Sequence, residues 1–153
     1  MLSHNVSGPS ICAANLSIKK INNMQTQIQH YEAKLAYEWD SADLFAALEA
    51  NKNVIVIDTR KTFAYDEEHI PGAISFPHRT MDTETTGLLD NEPIYVCYCD
   101  GIGCNGSTRG ALKMTQLGFR VRELIGGLDW WKRDGYATEG EKASLGTQIA
   151  CAC

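Results

Sequence analysis

The chain has 153 residues, a formal net charge of −5, 44% hydrophobic residues and 22% charged residues. That size and balance fit one soluble-type domain with a single core, and the acidic surface without a basic run argues against reading a nucleic-acid backbone. No apolar run reaches the roughly 20 residues that cross a bilayer. Lys19 and Lys20 follow the apolar part of the N-terminal stretch rather than precede it, the wrong order for a secretory signal. A cytoplasmic protein with neither nucleic-acid nor membrane partners is expected.

Residues 1–22 read as a loosely ordered leader, 23–140 as a single domain and 141–153 as a tail. Within the domain, Asn23–Ala36 is rich in helix formers, with apolar residues at Met24, Ile28, Tyr31 and Leu35. A helix there is expected to pack on the domain's own sheet, with pairing of two chains as the alternative, so monomer and homodimer both stay open. "WDSADLFAALEANKN" predicts a second helix. Asp40 or Ser41 caps it, Leu44, Ala47 and Leu48 share a face, and Asn51 or Asn53 ends it. "VIVIDTR" (Val54–Arg60) is β-branched without polar alternation, as a strand covered on both faces would be.

"TFAYDEEHI" predicts a short helix, and "PGAISFP" a turn leading into a short strand. "RTMDTETTGLLDNEP" reads as a polar connection with room for a helical turn. "IYVCYC" (Ile94–Cys99) is a second buried strand, and "STRGALKMTQLGF" a helix closed by Gly118. "RVRELIGG" gives a further strand and "LDWWKRDGY" a last short helix. Buried strands alternating with helices predict an α/β domain: a central, mainly parallel sheet flanked by helices in three layers. Ligands bind such sheets at the carboxyl ends of the strands, where Asp58 and Cys99 fall.

The six cysteines are Cys12, Cys97, Cys99, Cys104, Cys151 and Cys153. Cys12 and the terminal pair read as incidental thiols, and Cys97 as a core thiol. Cys99 opens "CDGIGCNGSTRG", where a strand gives way to a helix. Glycines at 101, 103, 106 and 110 can take positive φ and turn N–H groups inward as an anion-binding nest. The helix end adds unpaired N–H groups and the positive pole of its dipole. A thiol held there drops below its free value of about 8.5 and becomes a nucleophile. Nucleotide binding is the competing reading, since Gly101-x-Gly103-x-x-Gly106 fits a dinucleotide pattern, but the strand ends in cysteine and no partner acid is placed for the ribose.

Several segments together resemble the rhodanese-like sulfurtransferase family. They are "VIDTR", "HIPGAISFPH" (His69–His78), "VCYC" with its loop and helix, and "GFRVRELIGGLDWWKRDGY", in the family's order over Tyr37–Tyr136. The resemblance implies a single rhodanese-like domain in which Cys99 carries sulfane sulfur as a persulfide between a donor and a thiol acceptor, without a cofactor. It gives Asp58 and Arg60 a bracing role through an ion pair, and makes His69 a structural hydrogen-bonding residue. The active-site loop becomes Asp100, Gly101, Ile102, Gly103, Cys104, Asn105, Gly106, Ser107, Thr108 and Arg109.

This loop is longer than the family's common one and resembles an extended-loop subgroup with a C-x4-C-N-G arrangement. Cys104 stands where a basic residue is usual. With Asp100 present and Arg109 as the loop's one cation, efficient use of thiosulfate is not expected. Cys99 matches the strand-end position of the nucleophile, with Cys104, deeper in the loop, as the alternative. A Cys104 that is not the nucleophile is a candidate to resolve a Cys99 persulfide or sulfenic acid by forming a disulfide. A non-catalytic binding or redox-sensing module using that thiol–disulfide pair is the alternative function. A phosphatase would need Cys-x5-Arg, but six residues after Cys99 is Asn105 and six after Cys104 is Gly110. Zinc would need a fourth ligand beside Cys97, Cys99 and Cys104, so no metal is expected.

Overall fold

The computed structural model describes residues 11–147, with side chains from residue 19 onward. Cys151 and Cys153 lie outside the described residues, as does the side chain of Cys12. The chain divides into two compact units between Ala36 and Tyr37.

The first unit is built on α1 (Ile11–Tyr37), which starts well before Asn23. The segment read as a loose leader is therefore helical from Ile11. Its weak apolar pattern hid this, because Asn, Ser and Lys break the spacing there. Ile21, Met24, Ile28, Tyr31 and Leu35 are exposed rather than buried.

The second unit holds a five-stranded, all-parallel sheet in the order β1-β5-β4-β2-β3. β1 (Glu38–Trp39) had no sequence signal, because two residues are too few to show a period. α2 (Ser41–Glu49) is capped by Asp40, whose Oδ1 accepts from the Asp43 N–H at 2.8 Å. Leu44 and Ala47 are buried, and Asn51, at φ 49°, turns the chain out of the helix. β2 (Val54–Asp58) follows, then α3 (Thr62–Glu67), the turn at Gly72 and β3 (Ile74–Ser75).

The Arg79–Pro93 connection contains no helix. Asp82 holds it in turns instead, its Oδ1 accepting from the N–H groups of Glu84 and Thr85. β4 (Ile94–Tyr98), α4 (Gly106–Gln116), β5 (Arg120–Leu124) and α5 (Gly127–Arg133) complete the domain.

Alternation along the strands sends successive side chains to opposite layers. Val56, Val96, Tyr98 and Leu124 pack with Leu44, Ile70, Leu128 and Trp131 on the α2/α5 face. Ile57, Tyr95 and Cys97 pack with Met114, Met81 and Phe119 on the α4 face. Each fully buried aliphatic side chain contributes about 1.5–3 kcal/mol relative to exposure. Both faces of β2 and β4 are thus covered, which makes the sheet a rigid platform for the loops at its carboxyl edge.

Candidate active site

Cys99 is the first residue beyond β4, the central strand, and is nearly buried. Its Sγ is bonded to Cys104 Sγ, closing the short loop on itself, with the two Cα atoms 6.2 Å apart. Within the loop the Cys104 N–H donates to Gly101 O at 3.0 Å. The Gly106 N–H, in the first turn of α4, donates to Cys104 Sγ at 3.4 Å. A cavity of about 560 Å³ opens beside the pair, walled by Gly101–Asn105, Ser107 and Thr108 on one side and Glu123–Gly126 on the other.

The glycines differ from expectation. None of the four in the loop takes a positive φ, so the loop is no nest of alternating left-handed turns. Their use is space. A Cβ on Gly106 would stand 2.9 Å from Cys99 Sγ and 3.3 Å from Cys104 Sγ, and one on Gly110 would stand 2.7 Å from Thr59 Cγ2. The left-handed glycines near the site are Gly126 (φ 79°) and Gly127 (φ 56°), where β5 turns into α5. There Leu128 N–H donates to Cys99 O at 3.0 Å and Asp129 N–H to Asp100 O at 2.8 Å. A Cβ on Gly127 would lie 2.3 Å from Cys99 O. The start of α5 therefore clamps the backbone of the candidate nucleophile.

Asp58 and Arg60 brace the other side. Arg60 Nε and Nη2 donate to the Asp58 carboxylate, the shortest contact being 2.7 Å, and both side chains are almost fully buried. Arg60 Nη1 reaches Asp100 at 2.9 Å, and Nη2 also donates to Glu68 O. Burial opposes the guanidinium charge, but the Asp58 hydrogen bonds and charge outweigh it and hold Arg60 protonated beyond its ordinary range. Tyr98 donates from its hydroxyl to Asp58 at 2.6 Å. Burial first, then the Asp58 charge, keeps that phenol neutral.

His69 stands apart from the loop. Its Nδ1 lies 2.7 Å from Tyr65 O, its ring stacks on Tyr65, and its backbone bridges to Glu139. Cys97 is the free cysteine among the described side chains. It is fully buried, and burial with the nearby Glu123 charge pushes its thiol up to about 12. Cys99, Asp100 and Cys104 form the one close trio of metal-type donors among the described residues. Three donors, two of them bonded to each other and the third engaged by Arg60, do not make a tetrahedral site.

Several residues escaped the sequence reading. Glu123 accepts from the hydroxyls of Ser107 and Thr108, each at 2.7 Å, so one carboxylate holds the first turn of α4 against β5. An acid in the short strand "RVREL" was the available signal. Thr59 donates to Tyr98 O at 2.6 Å and packs against Gly110. On the far side of Asn105, a second recess of about 690 Å³ gathers His78, Arg79, Arg109 and Lys113. Its lining includes no carboxylate. Burial, then Arg79, Lys113 and Arg109, hold the His78 imidazole below its ordinary range. Residues so far apart in sequence share no local pattern.

A parallel α/β sheet with a cysteine loop running from its central strand into a helix defines the class of protein. The sequence profile of the rhodanese-like domain matches residues 41–134, and the chain belongs to that family. It is 29% identical over 121 residues to the thiosulfate sulfurtransferase GlpE of Coxiella burnetii, covering 78% of this chain and 98% of that protein. Among solved structures it is similar to the BH2092 protein of Bacillus halodurans, with 40% identity, a TM-score of 0.74 and coverage of 84% of this chain and 94% of that one. The rhodanese-like domain of the Anabaena protein Alr3790 superposes with a TM-score of 0.62 at 27% identity, over 69% of this chain and 80% of that one.

Proposed function

We propose that the protein is a sulfurtransferase that carries sulfane sulfur as a persulfide on Cys99. The observation that supports it most is the position of the Cys99 sulfur. It sits at the end of the central strand, against the first turn of α4, in space that only a glycine at 106 leaves open. A helix N-terminus lowers a thiol's pKa and favours the thiolate.

The cycle begins with the Cys99–Cys104 bond opened by a dithiol, which supplies two electrons and two protons. The Cys99 thiolate then attacks the outer sulfur of the donor. The donor's S–S bond breaks, its electron pair leaves with the donor fragment, and a persulfide remains on Cys99. An acceptor thiolate attacks the outer persulfide sulfur, takes it, and returns Cys99 as thiolate. The cationic recess beside Asn105 supports donors or acceptors that carry negative charge. A cytoplasmic setting, where dithiol reductants are abundant, suits this cycle.

The Cys99–Cys104 bond favours a second reading, a redox module. A Cys104 thiolate attacking the inner sulfur of the Cys99 persulfide forms the disulfide and releases hydrosulfide. With a Cys99 sulfenic acid, the same pairing releases water.

One experiment separates the readings. Reduced protein is incubated with a sulfane-sulfur donor and weighed. A gain of about 32 Da, one sulfur atom, is expected. It should be absent in Cys99→Ala and kept in Cys104→Ala. A gain that survives Cys99→Ala rejects the assignment. If the wild type yields only disulfide and hydrosulfide while Cys104→Ala accumulates persulfide, the redox reading holds.

A further inference from the structure

Between residues 20 and 36 of α1 the large apolar residues fall at Ile21, Met24, Ile28, Tyr31 and Leu35, with steps of three, four, three and four. All five are exposed, from 47% at Ile28 to 82% at Leu35. The residues between them are polar except Ala33: Asn22, Asn23, Gln25, Thr26, Gln27, Gln29, His30, Glu32 and Lys34. An alternating three–four step averages 3.5 residues. It keeps a narrow seam on one side of the helix, where a helix lying on a globular core shows a broader stripe at 3.6. A lone helix with an uncovered apolar seam is marginal in water, because propagation barely repays nucleation. The seam therefore calls for a partner helix of the same period.

The flanking charges say which partner. In a parallel, in-register pair each of the five seam residues meets its own counterpart. Lys20 then lies beside the partner's Gln25, and Gln27 beside the partner's Glu32, so no like charges face each other. An antiparallel pair always leaves one of the five outside the seam. The offset that retains Ile21 sets Lys20 against the partner's Lys34. The parallel pair thus keeps all five layers without a like-charge contact, whereas either antiparallel offset keeps four.

We propose that α1 pairs with α1 of a second copy of this chain, forming a parallel two-stranded coiled coil through Ile21, Met24, Ile28, Tyr31 and Leu35. The seam is isologous, and its symmetry closes at two copies. The inference is independent of the sulfur chemistry.

The test is sedimentation equilibrium of the full reduced chain over roughly 5–500 µM, a range wide enough to capture a short seam. A mass rising to that of a dimer is expected. Ile28→Lys should weaken the dimer at least about 30-fold, since it buries a charge in the central layer. The sulfur gained by Cys99 should be unchanged in that variant. Leu35→Cys under mild oxidation should give a cross-linked dimer beyond any formed by the parent chain, because this seam position faces itself when the helices are parallel and in register. A monomer at every concentration overturns the proposal. So does a monomer that binds anionic vesicles through the seam, or a dimer indifferent to Ile28→Lys. A dimer that Ile28→Lys weakens but Leu35→Cys never links overturns the parallel arrangement.

Discussion

Arg60 joins Asp58, buried at the end of β2, to Asp100, the residue that follows Cys99: one guanidinium reaches the two carboxylates at 2.7 and 2.9 Å. The two halves of this contact differ in weight. Asp58 is inaccessible, whereas the Asp100 side chain is largely exposed. An exposed pair contributes little, about 0–1 kcal/mol, so Asp100 serves to orient the loop.

Asp58→Ala leaves the Arg60 charge and the Tyr98 hydroxyl without their buried acceptor. A loss of about 3–5 kcal/mol is expected from breaking a buried pair on one side. Asp100→Ala should cost less than about 1 kcal/mol. Urea unfolding of the reduced proteins measures both. Near-equal losses would show that the buried half of the contact is not the dominant one.

Gly106→Ala places a methyl carbon 2.9 Å from Cys99 Sγ, inside contact distance. The sulfur or the start of α4 must shift, and overpacking of this kind costs about 1–3 kcal/mol. Persulfide formation on Cys99 should slow by at least about tenfold, because displacement of reacting atoms by a fraction of an ångström is costly. Gly103→Ala, with nothing near its Cβ, is the control and should leave the rate unchanged.

Cys97 should stay silent to alkylation. With its thiol pushed up to about 12, the thiolate fraction at pH 8 is on the order of 10⁻⁴. Native reduced protein treated with iodoacetamide at that pH should be modified at Cys99 and Cys104 and not at Cys97, as read by peptide mapping. Raising the pH to 10 should not expose Cys97 while the fold persists, because the same burial blocks access.

His78 reports on the cationic recess. Its imidazole is held below the ordinary 6.5 by burial and by Arg79, Lys113 and Arg109. Removing a cation or adding an anion must therefore raise its titration midpoint. Ring-proton NMR should show an upward shift in Arg79→Gln and in Lys113→Gln, and in the wild type on addition of thiosulfate. Because the folded value lies below the unfolded one, the unfolded chain binds the proton more readily, and this residue makes stability fall as pH drops below about 6.5. An upward shift with sodium chloride equal to that with thiosulfate at matched ionic strength would assign the effect to screening.

What the sequence determined by itself is everything carried by local pattern. The β-branched runs at Val54 and Ile94 specify buried parallel strands, because an alternating strand would expose one face. Asp40, Asn51 and Gly118 mark helix ends because their caps and left-handed backbones are local demands. The Cys99 loop was legible for the same reason. A strand end, a glycine run and a helix start are contiguous, and the family's segments lie in order along the chain.

Tertiary structure alone decided what depends on approach between distant residues. It made glycines 106 and 110 clearances rather than members of a left-handed nest, since only the packed fold shows that Thr59 and two sulfurs press on those positions. It brought Glu123 under Ser107 and Thr108, and gathered His78 and Arg79 with Arg109 and Lys113. It also left the apolar seam of α1 exposed. A spacing of three and four residues says that a helix has an apolar side. What covers that side is a property of surfaces meeting in space, which no local period encodes.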